Sequence, residues 1–198
     1  MSRLSTAGSP ALQINQHRSP DPVNRPEHEI REQKRIGLFM QVMAWVALIV
    51  LGVFFFGDLL DKQYNPNQSL QTSYGEQMKE VVLQRNRYGH YVTSGAINGQ
   101  PVTFLLDTGA TGVAIPEAVA RGLGLRRGRA FVTQTANGTT TSYAATLEHV
   151  SVGGIALQNV PAGITPGLQS DQVLLGMSFL KHIEFTQRGD TLILRQYH

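Results

Sequence analysis

The sequence predicts a mostly β domain with one short helix, set behind a single transmembrane helix and a disordered N-terminal tail. Three observations carry this reading. Residues 36–57 form an apolar run without a charge. From about Lys79 the chain breaks into short runs rich in β-branched and aromatic residues, punctuated by glycine. Asn-Gly pairs at Asn98-Gly99 and Asn137-Gly138 sit between such runs, where tight hairpins turn. A chain of 198 residues holds one ordinary domain plus these appendages, not two full domains.

Residues 1–35 are polar, and Pro10, Pro20, Pro22 and Pro26 interrupt any helical pattern. Such a segment buries too little apolar surface to offset its ordering entropy, so disorder is expected. The run from Ile36 to Gly57, IGLFMQVMAWVALIVLGVFFFG, has 22 residues and only Gln41 is strongly polar. As a helix it reaches about 33 Å, enough for a hydrocarbon core of about 30 Å. A cleaved signal peptide fits less well, because the run exceeds the usual ~7–15-residue apolar core and no A-x-A site follows. Arg31, Lys34 and Arg35 crowd the N-terminal flank, whereas Asp58, Asp61 and Lys62 open the far side. Positive charge stays cytoplasmic, so the tail is expected inside and the C-terminal domain outside, in the periplasm of a Gram-negative cell.

Residues 58–78, polar above all from Gln63 to Gln77, read as a linker able to let the domain move off the bilayer. The domain is expected over 79–198. Its strands are predicted at Val81–Gln84, Tyr91–Ile97, Val102–Leu106, Phe131–Thr135, Tyr143–Val152, Ile155–Val160 and Thr191–Arg195. One helix is predicted over Glu117–Leu123, opened by Pro116 and closed by Gly122 or Gly124.

Composition removes several chemistries. The chain has no cysteine, which excludes disulfides, thiol nucleophiles and thiolate-bound zinc. Its six histidines form no H-x-x-x-H pair, so no metal site is expected. A net charge of +3 without a long basic stripe gives no reason to invoke nucleic acid. Arg121, Arg126, Arg127 and Arg129 read as a solvated face. Ser151 and Ser178 lack a His–Asp constellation in the sequence around them.

The informative stretch is Val102 to Ile115, where an apolar strand delivers Asp107-Thr108-Gly109 and a second apolar segment leaves it. Asp-Thr-Gly is also ordinary turn chemistry, since Asp caps its own backbone and Gly takes positive φ. The chemical reading is sharper. Metal-free peptide hydrolysis needs a base to deprotonate water and an acid to protonate the amide. Two carboxylates about 3 Å apart do both, because they share one proton and their apparent pKa values split. Glycine after the aspartate allows two such loops to approach closely. Thr108 and Thr111 add hydroxyls beside the carboxylate.

Leu105-Leu106-Asp107-Thr108-Gly109-Ala110-Thr111 resembles the active-site loop of the retropepsin-like aspartic proteases. Downstream, Val173-Leu174-Leu175-Gly176-Met177-Ser178-Phe179-Leu180 resembles that family's second signature, an apolar pair and a glycine beneath the catalytic loop with a short helix next. The motifs stand 69 residues apart, from Asp107 to Gly176, and the resemblance covers Tyr91 to Arg195. A single span ahead of such a domain resembles the anchored bacterial members. The resemblance implies a single-lobe closed β-barrel, a substrate cleft at a two-fold axis, polypeptide substrates and no cofactor. It makes Asp107 catalytic, with Thr108 bonding across a dimer and Gly109, Ala110 and Thr111 supporting the loop. The Thr135–Tyr143 hairpin around Asn137 and Gly138 takes the place of the flap. Asp171 and Asp190, the other aspartates of the domain, are followed by Gln172 and Thr191-Leu192 and repeat no such loop. One lobe offers one carboxylate, so a homodimer is expected. Two rival readings use the same residues: a catalytically silent binding module on this fold, or a single-pass periplasmic assembly protein.

Overall fold

The computed structural model describes residues 27–135 and 138–197. The expectation of disorder over 1–26, and Asn137 of the expected flap, lie outside the described residues. The chain divides into two compact units, Met1–Leu51 and Gly52–His198. Helix α1 runs from Glu27 to Tyr64. It begins inside the expected tail, because residues 27–35 are rich in Glu, Gln, Lys and Arg and extend an already nucleated helix at little cost. Its Gly37–Tyr64 portion is long and apolar enough to cross a membrane. Leu38, Phe39, Trp45, Leu51 and Phe54 are all exposed, which leaves apolar side chains on every side of it.

The β-domain comprises β1 (Thr72–Tyr74), β2 (Met78–Gln84), β3 (Val92–Ile97), β4 (Gln100–Leu106), β5 (Val113–Pro116), α2 (Glu117–Gly122), β6 (Ala130–Thr135) and β7 (Gly138–Val152). There follow β8 (Ile155–Thr165), β9 (Val173–Leu175), α3 (Met177–Leu180), β10 (Glu184–Arg188) and β11 (Thr191–Tyr197). Two sheets result, ordered β1-β2-β11-β10 and β3-β4-β9-β5-β8-β7-β6, and β3 also pairs with β7. The domain is mostly β. Alternation sets the faces. On β2, Val81 and Leu83 are fully buried whereas Val82 is 41% exposed. They join a core that includes Phe104, Ile115, Leu147, Ile164, Leu175 and Phe179.

The β3–β4 turn carries Asn98 at φ 50° and Gly99 at φ 80°, the two left-handed residues of a type I′ hairpin. Between β6 and β7 the ladder closes at Thr135 opposite Gly138.

The expected tether is corrected over part of its length. Asn65 and Asn67 are buried. The Asn67 amide donates to the carbonyls of Gln84 (2.8 Å) and Val92 (2.7 Å) and accepts from the Gln84 N–H (2.7 Å). One side-chain amide thus ties the end of β2 to the start of β3 as a backbone rung would. Asn86 donates to the Tyr64 carbonyl at 3.0 Å, and Thr72–Tyr74 pairs with β2. Composition marks these residues as polar without showing that their amides are spent on backbone.

Candidate active site

The Asp107 loop is built where β4 runs out. β4 lies parallel to β9, pairing Leu105 with Leu174 and Leu106 with Leu175. β9 also pairs with β5 through Leu174 and Ala114. The short strand Val173–Leu175 therefore sits between the strand that enters the loop and the strand that leaves it. The Asp107 N–H donates to the Leu175 carbonyl at 3.3 Å, and the Met177 N–H donates to the Ala110 carbonyl at 2.8 Å. Both rims of the loop are thereby fastened to the segment around Gly176.

Gly176 has no alternative there. A Cβ at this position would lie 2.3 Å from the Gly112 oxygen and 2.5 Å from the Ala110 oxygen. The second signature thus meets the loop by close backbone approach. Ser178, a member of the second signature that lacks a nucleophile's partners in the sequence around it, braces the exit of the loop. Its hydroxyl accepts from the Val113 N–H at 2.9 Å and donates to the Pro161 carbonyl at 2.9 Å. The available sequence signal is its place in the turn after Gly176, opposite a loop whose buried N–H groups need acceptors.

Within the loop the Ala110 N–H closes a turn on the Asp107 carbonyl at 3.2 Å, and the Gly109 N–H donates to Asp107 Oδ1 at 2.9 Å. Asp107 as a residue is half-buried, and Thr108 and Thr111 are exposed. Among the described residues neither threonine hydroxyl bonds Asp107. The turn at Ala110 carries Thr111 to the surface, and the Gly109 amide is the local hydrogen-bond donor to the carboxylate. Asp107 and Thr108 border a cavity of about 310 Å³, together with Tyr91, Leu106, Leu180, Phe185, Gln187 and Leu192. The Tyr91 hydroxyl is buried without a hydrogen-bond partner among the described residues.

The hairpin of β6 and β7 is anchored at its base by hydroxyls. Thr133 Oγ1 bonds Ser142 Oγ at 2.8 Å, and Ser142 Oγ meets Thr165 Oγ1 of β8 at 3.0 Å. Arg127 pairs with Glu117 and lies over the Tyr143 ring, 4.5 Å from its centroid. Arg121, Arg126 and Arg129 are exposed. Asp190 is bonded by Arg85 at 3.5 Å, and Asp171 stands on the surface. No cluster of three or more candidate metal ligands occurs among the described residues.

The family model of gag-polyprotein aspartyl proteases matches residues 93–182, from β3 past α3. Over that stretch the chain is similar to the aspartyl proteases of that family. The chain is also 34% identical over 144 residues to an uncharacterised protein encoded in the cobV 5′ region of a Sinorhizobium species. That match covers 71% of this chain and 62% of the relative's length. An uncharacterised Rickettsia prowazekii protein is 28% identical over 163 residues, covering 78% of this chain and 70% of its own. Among solved structures, a retropepsin-like aspartic protease from Rickettsia conorii shares 28% identity, with TM-score 0.49, over 65% of this chain and 95% of that one. The EIAV protease complexed with the inhibitor HBY-793 shares 20% identity, with TM-score 0.41, over 50% of this chain and 92% of that one.

Proposed function

We propose that this chain is a membrane-anchored aspartic endopeptidase whose site is assembled from the Asp107 carboxylates of two copies. The observation that carries the reading is the Asp107 loop, fastened at both rims by the Gly176 segment, with a glycine amide on Oδ1 and the carboxylate beside a cavity. The Gly109 N–H occupies one oxygen and leaves the other for water or a second carboxylate. In the pair, the ionised Asp107 takes a proton from water while the water oxygen attacks the scissile carbonyl carbon. The protonated Asp107 of the other copy donates to the carbonyl oxygen. Collapse of the tetrahedral species breaks the C–N bond, and a proton passes to the departing amine. Thr108, exposed beside Asp107, bonds across the pair, and the β6–β7 hairpin with Gly138 closes over a polypeptide substrate. The residues alone supply this acid–base cycle without a cofactor.

Asp107→Asn tests the site. The amide is nearly isosteric but cannot act as the base, so proteolysis of a denatured protein substrate is lost while circular dichroism is unchanged. A variant that cleaves at the wild-type rate removes Asp107 from the chemistry. Because a proton-sharing pair works only when singly protonated, the wild-type rate peaks on the acid side of neutral. A rate still climbing beyond about pH 8 contradicts the pair.

The anchor reading rests on Gly37–Tyr64 and on the flanking charges Arg31, Lys34 and Arg35 against Asp58 and Asp61. It places the N-terminus in the cytoplasm and the protease domain on the periplasmic or external side. Protease added to intact spheroplasts then degrades the C-terminal domain and spares the tail. A reporter after His198 that works only in the cytoplasm reverses the orientation.

A further inference from the structure

α1 runs directly into the β-domain. It ends at Tyr64, and the next residue, Asn65, is buried. Its last turns, residues 52–64, fall within the same compact unit as the β-domain. The last carbonyls of a helix lack partners within it. Here the Asp61 carbonyl accepts from the Asn65 N–H at 2.8 Å, and the Tyr64 carbonyl accepts from Asn86 Nδ2 at 3.0 Å. Arg87 adds a bond to Gln63 Oε1 at 2.8 Å. The domain itself caps the end of the helix.

The chain beyond the cap is fastened as well. Asn65 Nδ2 donates to Ser94 Oγ of β3 at 3.1 Å, and Asn65 Oδ1 accepts from the Asn67 N–H at 3.0 Å. The Asn67 carbonyl accepts from the Ser94 N–H at 3.2 Å, while its side-chain amide joins β2 to β3. Leu70 packs against the core, and the Thr72 hydroxyl accepts from the Gly154 N–H at 2.7 Å. Asn65, Asn67 and Asn86 are 6%, 4% and 8% exposed, and such shielded hydrogen bonds are stronger than those open to water.

The same contacts lead to the site. Asn86 Oδ1 accepts from the N–H groups of Tyr88 at 3.0 Å and His90 at 2.9 Å. The Tyr91 carbonyl then accepts from the Leu106 N–H at 3.0 Å, and Tyr91 borders the Asp107 cavity. From the helix end to the Asp107 loop the path runs through hydrogen-bonded backbone, which fixes the height of the site above the membrane. The apolar run closes at Gly57, and residues 58–64 add about 10 Å of helix beyond it. A domain of this size has a radius of gyration of about 14 Å and so a diameter of about 36 Å. The site therefore lies within about 50 Å of the hydrocarbon boundary. A free tether over residues 65–77 would add roughly 40 Å of reach.

We propose that the substrate is a polypeptide anchored in the same membrane and cut in an unstructured stretch within about 15 residues of it, the extended length that spans this height. This rests on the reading of the chain as an anchored endopeptidase and adds which bonds it reaches. A substrate confined to the same plane meets a site of fixed height at a raised effective concentration, whereas a bond held farther out stays beyond the site.

The full-length chain is reconstituted in phosphatidylethanolamine–phosphatidylglycerol vesicles together with single-span reporters. Each reporter carries a short cassette copied from the bond that the enzyme cuts fastest in a denatured soluble protein. Proline-rich spacers, at about 3.1 Å per residue, set the cassette about 15 Å or about 80 Å beyond the span. The near cassette is expected to be cut at least about tenfold faster than the far one. Inserting about thirty Gly-Ser residues between Tyr64 and Asn65 frees the domain from the helix end and adds about 30 Å of root-mean-square reach. The near-to-far ratio then falls below about threefold, while circular dichroism and cleavage of the soluble protein are unchanged. Equal cleavage of both cassettes by the wild type overturns the limit on reach. A ratio that the insertion leaves unchanged overturns it too, because the junction then does not set the height. Cleavage of the soluble protein with neither reporter cut overturns the substrate assignment while the endopeptidase stands. No cleavage of any substrate, the soluble protein included, overturns the endopeptidase reading and this inference with it.

Discussion

Two glycines of the β-domain separate close approach from mere presence. At Gly176 a methyl group would meet the backbone oxygens of Gly112 and Ala110 at 2.3 and 2.5 Å, and backbone cannot swing aside as a side-chain tip does. Gly176→Ala is expected to cost about 3 kcal/mol or more and to displace the Asp107 loop, removing activity along with stability. At Gly122, in α2, nothing lies within 4 Å of the same added carbon, and Gly122→Ala is expected to be neutral or to stabilise by up to about 1 kcal/mol. Thermal unfolding of the two variants side by side checks the contrast; equal behaviour would mean that the loop does not rest on Gly176. Ser178→Ala falls between them. It strands the buried Val113 N–H and the Pro161 carbonyl, a loss of about 1–3 kcal/mol, and lowers kcat through the exit of the loop rather than through bond-making. Of these residues, Asp107, Gly109 and Gly176 are legible in the sequence because their residue types are demanded by chemistry or by space. Ser178 is marked only by its place after Gly176, because its bond to a backbone N–H 65 positions away is not visible in its sequence neighbours.

At the scale of elements, legibility follows length and pattern. The seven strands read from alternation and turn residues are all present as β2, β3, β4, β6, β7, β8 and β11. The unread ones are short: β1 and β9 span three residues, β5 four and β10 five. A three-residue strand shows no period, and β9 exists because β4 and β5 flank it. β10, with the sequence EFTQR, is mostly polar and exposed, and its pairing with β11 sets its place. The same strand carries a measurable pH dependence. The Glu184 carboxyl is held below its ordinary 4.5, first by the hydrogen bond from the Tyr197 hydroxyl and then by that from Arg195. A depressed carboxyl contributes stability that is present above its unfolded value and is lost as pH falls through its folded value. Wild type is therefore expected to lose more thermal stability than Glu184→Gln as pH drops below about 4.5, and the two to run parallel above about pH 6. Melting curves across pH 2.5–7 at low salt show it. Coincident profiles would mean that Tyr197 and Arg195 do not hold the charged form in solution.

For the molecule as a whole, the question is whether one chain is an enzyme. The β-domain supplies a single Asp-Thr-Gly loop, and its other aspartates, Asp171 and Asp190, are exposed in a bend and a turn. If each copy gives one Asp107, activity belongs to the pair, and specific activity rises with protein concentration. On the proposed anchor reading, copies are confined to a plane at a raised effective concentration, which would give the apolar helix a role in catalysis as well as in address. Mixing separates this from a self-sufficient chain. Let equal amounts of wild type and Asp107→Ala exchange fully into pairs of equal stability. Random pairing leaves about one quarter of the pairs wild type on both sides, while every mixed pair holds a single carboxylate. Half of the wild-type chains then sit in dead pairs, and total activity falls to roughly half of the same amount of wild type kept unmixed. Exchange itself is verified by following a size-tagged Asp107→Ala chain into the mixed pair. Undiminished activity after verified exchange would show that each chain hydrolyses peptides with its own residues, and the second carboxylate would have to be sought within it.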